Sequence, residues 1–269
     1  MSLRIQSNVE AFNAHRQLVQ TGDKLGKAME RLSSGYRINR ASDDAAGLAI
    51  SEKLRAQIGG LDQAQRNAQD AVSLVQTAEG AMGEVHSMLQ RVRDLAVQFN
   101  NGTLSTSDKA AITAEVAQLC AEIDRIGQDT KFNGIALLTG TSAITFQVGG
   151  EDGQTIAVNA VQLFGASGKV DSAIFNFTGT VTLASIDTAI QNISDARSTF
   201  GSVQNRLEHT LNNLANYQEN LTGAESRIRD VDMASEMVNF TKLNILQQAG
   251  TSMLAQANQA PQAVLSLLR

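Results

Sequence analysis

The residues of this chain that could carry out chemistry are few and lie far apart. The three histidines, His15, His86 and His209, fall in separate stretches, and none has a second histidine or a cysteine at the short spacing of metal sites. The single cysteine, Cys120, follows Leu119 in a helical pattern, which indicates a packing thiol and excludes an internal disulfide. The order of residues gives no Ser-His-Asp or Cys-His set either. We therefore predict no metal site and no catalytic residues.

Two short segments have a superficial likeness to ligand-binding loops. Residues 165–170, Gly-Ala-Ser-Gly-Lys-Val, contain the glycines of a phosphate loop, but the spacing differs and no Ser or Thr follows Lys169. Residues 151–153, Glu-Asp-Gly, lack the alternating oxygen ligands of a calcium loop. We interpret both segments as turns and predict no cofactor.

One charged segment has two interpretations. Residues 89–97, Leu-Gln-Arg-Val-Arg-Asp-Leu-Ala-Val, are denser in charge than their surroundings. Arg91 and Leu95 are four residues apart, so they share one side of a helix. Physical reasoning alone favours an ordinary solvated helix face, and a binding surface stays open as the alternative.

Charge and hydropathy exclude several classes of partner. The net charge of −5 and the pI near 5.3 argue against nucleic acid, which attracts clustered Lys and Arg. No run of eighteen apolar residues is present, so we predict no membrane insertion. The first ten residues lack the apolar core of a secretory signal, and export from the cell would therefore need another route.

Two long stretches, one on each side of the middle, carry an apolar residue at every seventh position. In the later stretch these are Ile186, Ile193, Phe200, Leu207, Leu214, Leu221 and Ile228, and in the earlier one Leu54, Leu61, Ala68, Val75, Met82, Leu89 and Ala96. Apolar residues repeated about every 3.5 positions form a seam that must face another helix. The chain's one proline, Pro261, interrupts neither seam. The pattern predicts a mainly α protein: a long antiparallel coiled-coil rod made from both chain ends.

Cap and turn residues predict where the elements begin and end. The expected elements are a helix over about 3–33, a break at 33–40, a helix from the caps at 42–44 to about Asn100, and a helix capped by Ser105–Asp108. Asn133-Gly134 predicts a tight turn, and residues from about 135 to 183 have the alternation of small β-hairpins, including strands near 145–148, 155–158 and 174–178. Ser185 is expected to cap the return helix.

The last part of the chain differs from the seams before it. After Val231 the apolar rows change phase, and no charged side chain occurs between Lys242 and Arg269. Such a segment is not typical of a solvated helix face, and the N-terminal helix is too small to cover it all. Neighbouring copies of the same chain are the simplest partner that could.

Several motifs resemble those of one family. Residues 31–50, RLSSGYRINRASDDAAGLAI, resemble the N-terminal signature of bacterial flagellin. Residues 224–234, AESRIRDVDMA, residues 245–250, ILQQAG, and residues 261–269, PQAVLSLLR, resemble its C-terminal signature. The resemblance covers about 1–150 and 185–269.

The resemblance implies a layered subunit of the extracellular bacterial flagellar filament, a motility polymer without enzymatic activity. Residues 1–43 and 230–269 would form the inner coiled-coil core. Residues 44–229, with β-hairpins at about 135–183, would form a surrounding layer without a large outer domain. A hook–filament junction protein, which shares these terminal motifs, is the alternative.

The resemblance also implies partners and contact residues. The chain would polymerise with itself, meet cap and hook-associated proteins, and leave the cell unfolded through the flagellar type III apparatus with an export chaperone. Host Toll-like receptor 5 would contact Gln90, Arg91, Leu95 and Glu115. A cytosolic host sensor would use the tail residues Leu265, Leu267 and Leu268, which would also serve assembly.

Overall fold

A computed structural model of the chain describes residues 8–140, 142–159, 162–164, 170, 177 and 182–267. Within these residues lie five helices: α1 (Val9–Ser34), α2 (Ala45–Phe99), α3 (Thr106–Asp129), α4 (Leu183–Arg229) and α5 (Met233–Leu267). Four short strands, β1 (Lys131–Phe132), β2 (Ile135–Ala136), β3 (Ile144–Gln147) and β4 (Thr155–Val158), pair as two antiparallel hairpins. The predicted mainly α class, with paired terminal helices and a small β region in the middle, is confirmed.

The chain divides into two compact units. The terminal unit comprises Met1–Ala56 and Asn220–Arg269, and the central unit is Gln57–Glu219. Both boundaries fall inside a helix, α2 or α4, rather than at a turn. The division at 43/44 and 229/230 refers to layers of an assembled filament, which the contacts of a single chain do not test, and it stays a prediction.

In the central unit, the seams of α2 and α4 form the core. Gln65 donates to Gln218 at 2.7 Å and Arg93 pairs with Asp187 at 2.7 Å, so the two helices run antiparallel. The repeat residues from Leu61 to Ala96 and from Ile186 to Leu214 are all buried. Since burying one large apolar side chain contributes about 1.5–3 kcal/mol, these residues form the main stabilising core of the central unit.

α3 and the hairpins cover this core. Ser105 and Asp108 form a reciprocal capping box at the start of α3, as their spacing predicts. Asn133 and Gly134 have φ angles of 48° and 81°, the left-handed pair that a two-residue hairpin turn requires. The strands near 145–148 and 155–158 are confirmed as β3 and β4. The strand expected near 174–178 and the turn at 165–168 lie outside the described residues, apart from Phe177.

Two predicted boundaries need correction. The first hairpin begins at Lys131, before the expected start near 135, because residues 131–132 pair with 135–136 across the Asn-Gly turn. The return helix begins at Leu183 rather than after Ser185, whose hydroxyl lies 3.2 Å from that of Thr182. The predicted cap therefore lies in the first turn of α4.

The terminal unit is built on an antiparallel pair, α1 against α5. Asn8 contacts Ala257, and Arg31 lies 4.0 Å from Glu236 near the opposite ends of the pair. The phase change near Val231 is the break between α4 and α5, where Asp232 accepts hydrogen bonds from the first amides of α5. Of the described helices, none combines the length and hydropathy needed to cross a bilayer.

Candidate assembly surface

Most exposed apolar side chains of the described residues belong to the terminal unit. On α1 these are Val9, Phe12, Val19 and Met29, on α2 Ile50, and on α5 Met233, Met237, Val238, Ile245, Leu246 and Met253. We call these eleven residues the terminal apolar face. Phe12 is 74% exposed and Val238 is 72% exposed, values that a core residue never has. In α1 only Ala28 is buried, so α1 and α5 do not enclose a core of their own.

The second half of α5 is also poor in charge. Along α5, no charged side chain follows Lys242 before the last residue, Arg269. Burial of a charged group would carry a desolvation cost of several kcal/mol, whereas the amides and hydroxyls of this segment are less costly to cover. The composition therefore suits a helix that is covered by another protein surface.

A groove lies between α1 and α5 near the start of α1. Its volume is about 600 Å³, and its lining is Glu10, Asn13, Ala14, Met253, Gln256, Ala257 and Gln259. The mixture of methionine, alanine and amide side chains lacks the convergent charged groups of an enzyme site.

A compact joint connects the turn after α1 to the break between α4 and α5. Gly35 ends α1 in the left-handed conformation, with φ of 75°. The Arg37 amide donates to the Arg229 carbonyl at 2.7 Å, and the Val231 amide donates to the Gly35 carbonyl at 3.0 Å. These bonds fix two remote chain segments in one short antiparallel bridge.

The ring of Tyr36 is the centre of this joint. The guanidinium carbons of Arg229 and Arg55 lie 4.9 and 5.8 Å from the ring centroid. Arg229 pairs with Glu52 at 2.7 Å, and Arg55 pairs with Glu225 at 3.5 Å. Each cation–π contact contributes about 0.5–2 kcal/mol. The sequence motifs do not indicate this role, for which the one sequence signal is an aromatic residue within a turn.

The residues expected to contact a receptor are partly brought together. Arg91 donates to Glu115 Oε1 from Nη2 at 2.7 Å and from Nε at 3.0 Å, so the patch joins α2 to α3. Gln90 lies beside Arg91 on the exposed side, with its amide nitrogen 3.0 Å from His86 Nε2. Leu95 is only 2% exposed and packs in the core beneath the patch.

The tail leucines are described in part. Leu265 and Leu267 fall within α5, whose helical backbone extends to Leu267. Leu268 lies outside the described residues. Their roles in assembly and in host sensing stay predictions.

Cys120 is a buried packing residue. Its side chain is 8% exposed, and burial, assisted by the nearby Asp124 carboxylate, raises the pKa of its thiol to about 11. A protonated, covered thiol is a poor nucleophile at neutral pH. Within the part of the chain that the structure describes, no three His, Cys, Asp or Glu side chains converge as metal ligands would.

Comparison with known proteins decides the family. The family profile described as "Bacterial flagellin N-terminal helical region" matches residues 5–143, and that described as "Bacterial flagellin C-terminal helical region" matches residues 183–268. This chain belongs to the bacterial flagellin family. A flagellin of Halalkalibacterium halodurans is 53% identical over 98% of this chain and 99% of its own length.

Other flagellar proteins match at similar coverage. A flagellin of Bacillus subtilis is 47% identical over 99% of this chain and 100% of its own length. The flagellar filament 33 kDa core protein of Treponema phagedenis is 46% identical over 98% of this chain and 99% of its own length. As a flagellin, this chain is a structural, self-polymerising component of the extracellular flagellar filament and not an enzyme. These full-length relatives give no support to the alternative of a junction protein.

Proposed function

We propose that copies of this flagellin assemble through the terminal apolar face, so that α1 and α5 form the inner core of the filament. The observation that carries this proposal is the exposure of ten large apolar side chains on the α1–α5 pair, which has little core of its own, together with Ile50 on α2. Exposed large apolar side chains concentrated in one unit of a chain mark a protein interaction site.

The energetics favour a lattice over a dimer. Full burial of an apolar side chain contributes about 1.5–3 kcal/mol, and these side chains are already partly covered, so the face offers on the order of 10 kcal/mol. Association costs roughly 4–15 kcal/mol in lost translational and rotational freedom. A single pair of subunits is therefore weak, while a subunit with several neighbours is stable. This balance predicts that assembly needs a seed.

The assembly proposal is tested by placing a charge on the face. Phe12→Asp or Val238→Asp should raise the critical concentration for seeded polymerisation by at least tenfold, because a carboxylate would be buried without a partner. Phe12→Leu is the matched control, since it keeps the position apolar. Sedimentation measures the critical concentration, and circular dichroism checks that helix content is unchanged. Normal assembly of both Asp variants would refute the proposal.

We propose further that the same face serves the chain before and after polymerisation. An export chaperone would cover the charge-poor α5 until the unfolded chain enters the type III apparatus, and cap and hook-associated proteins would meet this face at the filament ends. Removal of residues 232–269 should abolish co-purification with the chaperone. Undiminished chaperone binding by the truncated chain would count against this role of α5.

A host-recognition role at the Arg91 patch is supported by a separate observation. Gln90, Arg91 and Glu115 are exposed side by side on two helices, the kind of preorganised polar patch that a receptor can recognise. Arg91→Ala should weaken signalling through Toll-like receptor 5. Arg93→Ala is the control, because Arg93 pairs with Asp187 on α4 instead. Unchanged signalling by Arg91→Ala would contradict this role.

Recognition of the tail by a cytosolic host sensor is a further proposal. The C-terminal sequence, which has no charge between Lys242 and Arg269, contains the leucines of that contact, Leu265, Leu267 and Leu268. Replacement of the three by Ala should abolish sensor activation when the protein is delivered into cells, and full activation would exclude them.

A further inference from the structure

One backbone carbonyl of α5 lacks the hydrogen-bond donor that a regular α-helix would supply. The helix continues through position 261, where Pro261 has no N–H to donate. The carbonyl four residues earlier, that of Ala257, therefore loses the partner that an α-helix normally supplies. Pro261 is the only proline of the chain, so no other carbonyl of α5 is opened in this way.

A side chain from the other end of the sequence donates a hydrogen bond to this carbonyl. The amide nitrogen of Asn8 donates to the Ala257 carbonyl oxygen at 2.7 Å, although the two residues are 249 positions apart. The oxygen of the same amide accepts from the Ala11 backbone N–H at 3.1 Å and so caps the start of α1. One Asn side chain thus caps the N-terminus of α1 and supplies the missing hydrogen bond of α5.

Few residue types could perform both tasks. Asn carries a donor and an acceptor on one short branch, whereas Asp caps a helix equally well but has no proton to donate when ionised. Replacement of Asn8 by Asp would therefore preserve the cap and set a carboxylate against the Ala257 carbonyl. This difference separates the two functions of the residue.

The contact matters because it lies at the far end of the pair from the other polar contacts, the Gly35–Val231 bridge and the Arg31–Glu236 pair. Apolar residues recur every seven positions, and a shift of one helical turn, about 5.4 Å, would again bring apolar residues opposite each other. A polar contact within a mainly apolar stretch of a seam is an established physical means of fixing one register. The Ala257 carbonyl is the one acceptor of this kind on α5, and Asn8 is its donor at the start of α1, so the bond forms in one alignment of the two helices.

We propose that Asn8 and Pro261 together fix the register of the α1–α5 pair at the end where α1 begins. Pro261 leaves the Ala257 carbonyl without its usual donor, and Asn8 can donate to it only when the two helices are correctly aligned. The pairing lies within one subunit and does not depend on the proposed assembly surface. Its effect on polymerisation does rest on that proposed function.

The test is a cycle of four chains: the parent, Asn8→Asp, Pro261→Ala, and the double variant. With Pro261 present, Asn8→Asp should raise the critical concentration for seeded assembly about tenfold, the effect expected from the loss of one part-buried hydrogen bond. With Pro261→Ala, the new N–H at position 261 donates to the Ala257 carbonyl. The same Asn8→Asp change should then shift the critical concentration by less than about twofold.

Amide exchange of residues 8–14, measured on the full-length soluble chain, gives a readout that does not need a filament. We expect Asn8→Asp to speed this exchange in the Pro261 chain and to leave it unchanged in the Pro261→Ala chain. Equal effects of Asn8→Asp in both chains, or equal exchange in all four, would overturn the register role. Failure of the parent chain to polymerise would refute the assembly proposal, and the exchange measurement would still decide this one.

Discussion

Gly127 in α3 lies against the ring of Phe164. A Cβ at position 127 would stand 2.6 Å from Phe164 Cδ2 and 3.0 Å from its Cβ, too close for either atom to stay in place. The sequence could not predict this contact, because Phe164 follows the two hairpins and nothing in its neighbourhood indicates where it packs. Local signals did predict the Asn133-Gly134 turn and the Ser105 cap, since each depends on adjacent residues only.

We therefore expect Gly127→Ala to destabilise the central unit. Overpacking costs about 1–3 kcal/mol, which exceeds the gain of up to about 1 kcal/mol from better helix propensity. Urea unfolding followed by circular dichroism measures the difference. The matched control is Gly80→Ala in α2, where an added Cβ has nothing within 4 Å and should stabilise the helix slightly. Equal stability of Gly127→Ala and the parent would contradict the packing.

Cys120 gives a prediction about pH. Burial raises the pKa of its thiol from 9.0 to about 11, so the folded chain holds this proton more tightly than the unfolded chain. The corresponding stability is fully present below pH 9 and is lost as the pH rises through about 11. At pH 8 a disulfide reagent should label the folded chain far more slowly than the urea-unfolded chain. Equal labelling rates would show that the thiol is accessible.

At the scale of elements, local sequence signals predicted most helix boundaries, because caps and turns are set by neighbouring residues. They did not predict the joint around Tyr36. Its hydrogen bonds connect residues 35–37 with 229–231, and a seven-residue repeat carries no information about such pairs. The phase change near Val231 indicated a break in the seam, but not that a tyrosine from the first third of the chain would pack against Arg229 there.

Tyr36→Leu should weaken this joint. The change removes two cation–π contacts and the hydrogen bond from Arg55 to the hydroxyl, a loss of about 1–3 kcal/mol in the terminal unit. Tyr36→Phe is the control, because it keeps the ring and loses only the hydroxyl. Amide exchange at Arg37 and Val231 should rise strongly in the Leu variant and slightly in the Phe variant. Unchanged exchange in both would mean that the backbone bridge is stable without the ring.

For the whole molecule, the two units differ in what they bury. The central unit encloses the predicted seams of α2 and α4, whereas the terminal unit leaves eleven large apolar residues exposed. The absence of charged residues between Lys242 and Arg269 indicated from the sequence that the end of the chain is covered by another surface. Which side of each terminal helix stays exposed could not be read from it, because that depends on how α1 and α5 pair.

A chain without residues 232–269 should keep a folded central unit and lose polymerisation. The core of the central unit contains no residue of the deleted segment, so its cooperative unfolding should persist. Thermal unfolding by circular dichroism and electron microscopy of seeded samples measure the two outcomes. Filaments formed by the truncated chain would show that α5 is not needed for assembly.

The most direct measurement of the central claim is side-chain footprinting with hydroxyl radicals, comparing the soluble chain with its filaments by mass spectrometry. Phe12, Met237 and Met253 are exposed in the single chain and should label rapidly there. On assembly their labelling should fall at least fivefold, because the terminal apolar face becomes buried between copies. Labelling that stays as fast in filaments as in the soluble chain would show that assembly uses a different surface.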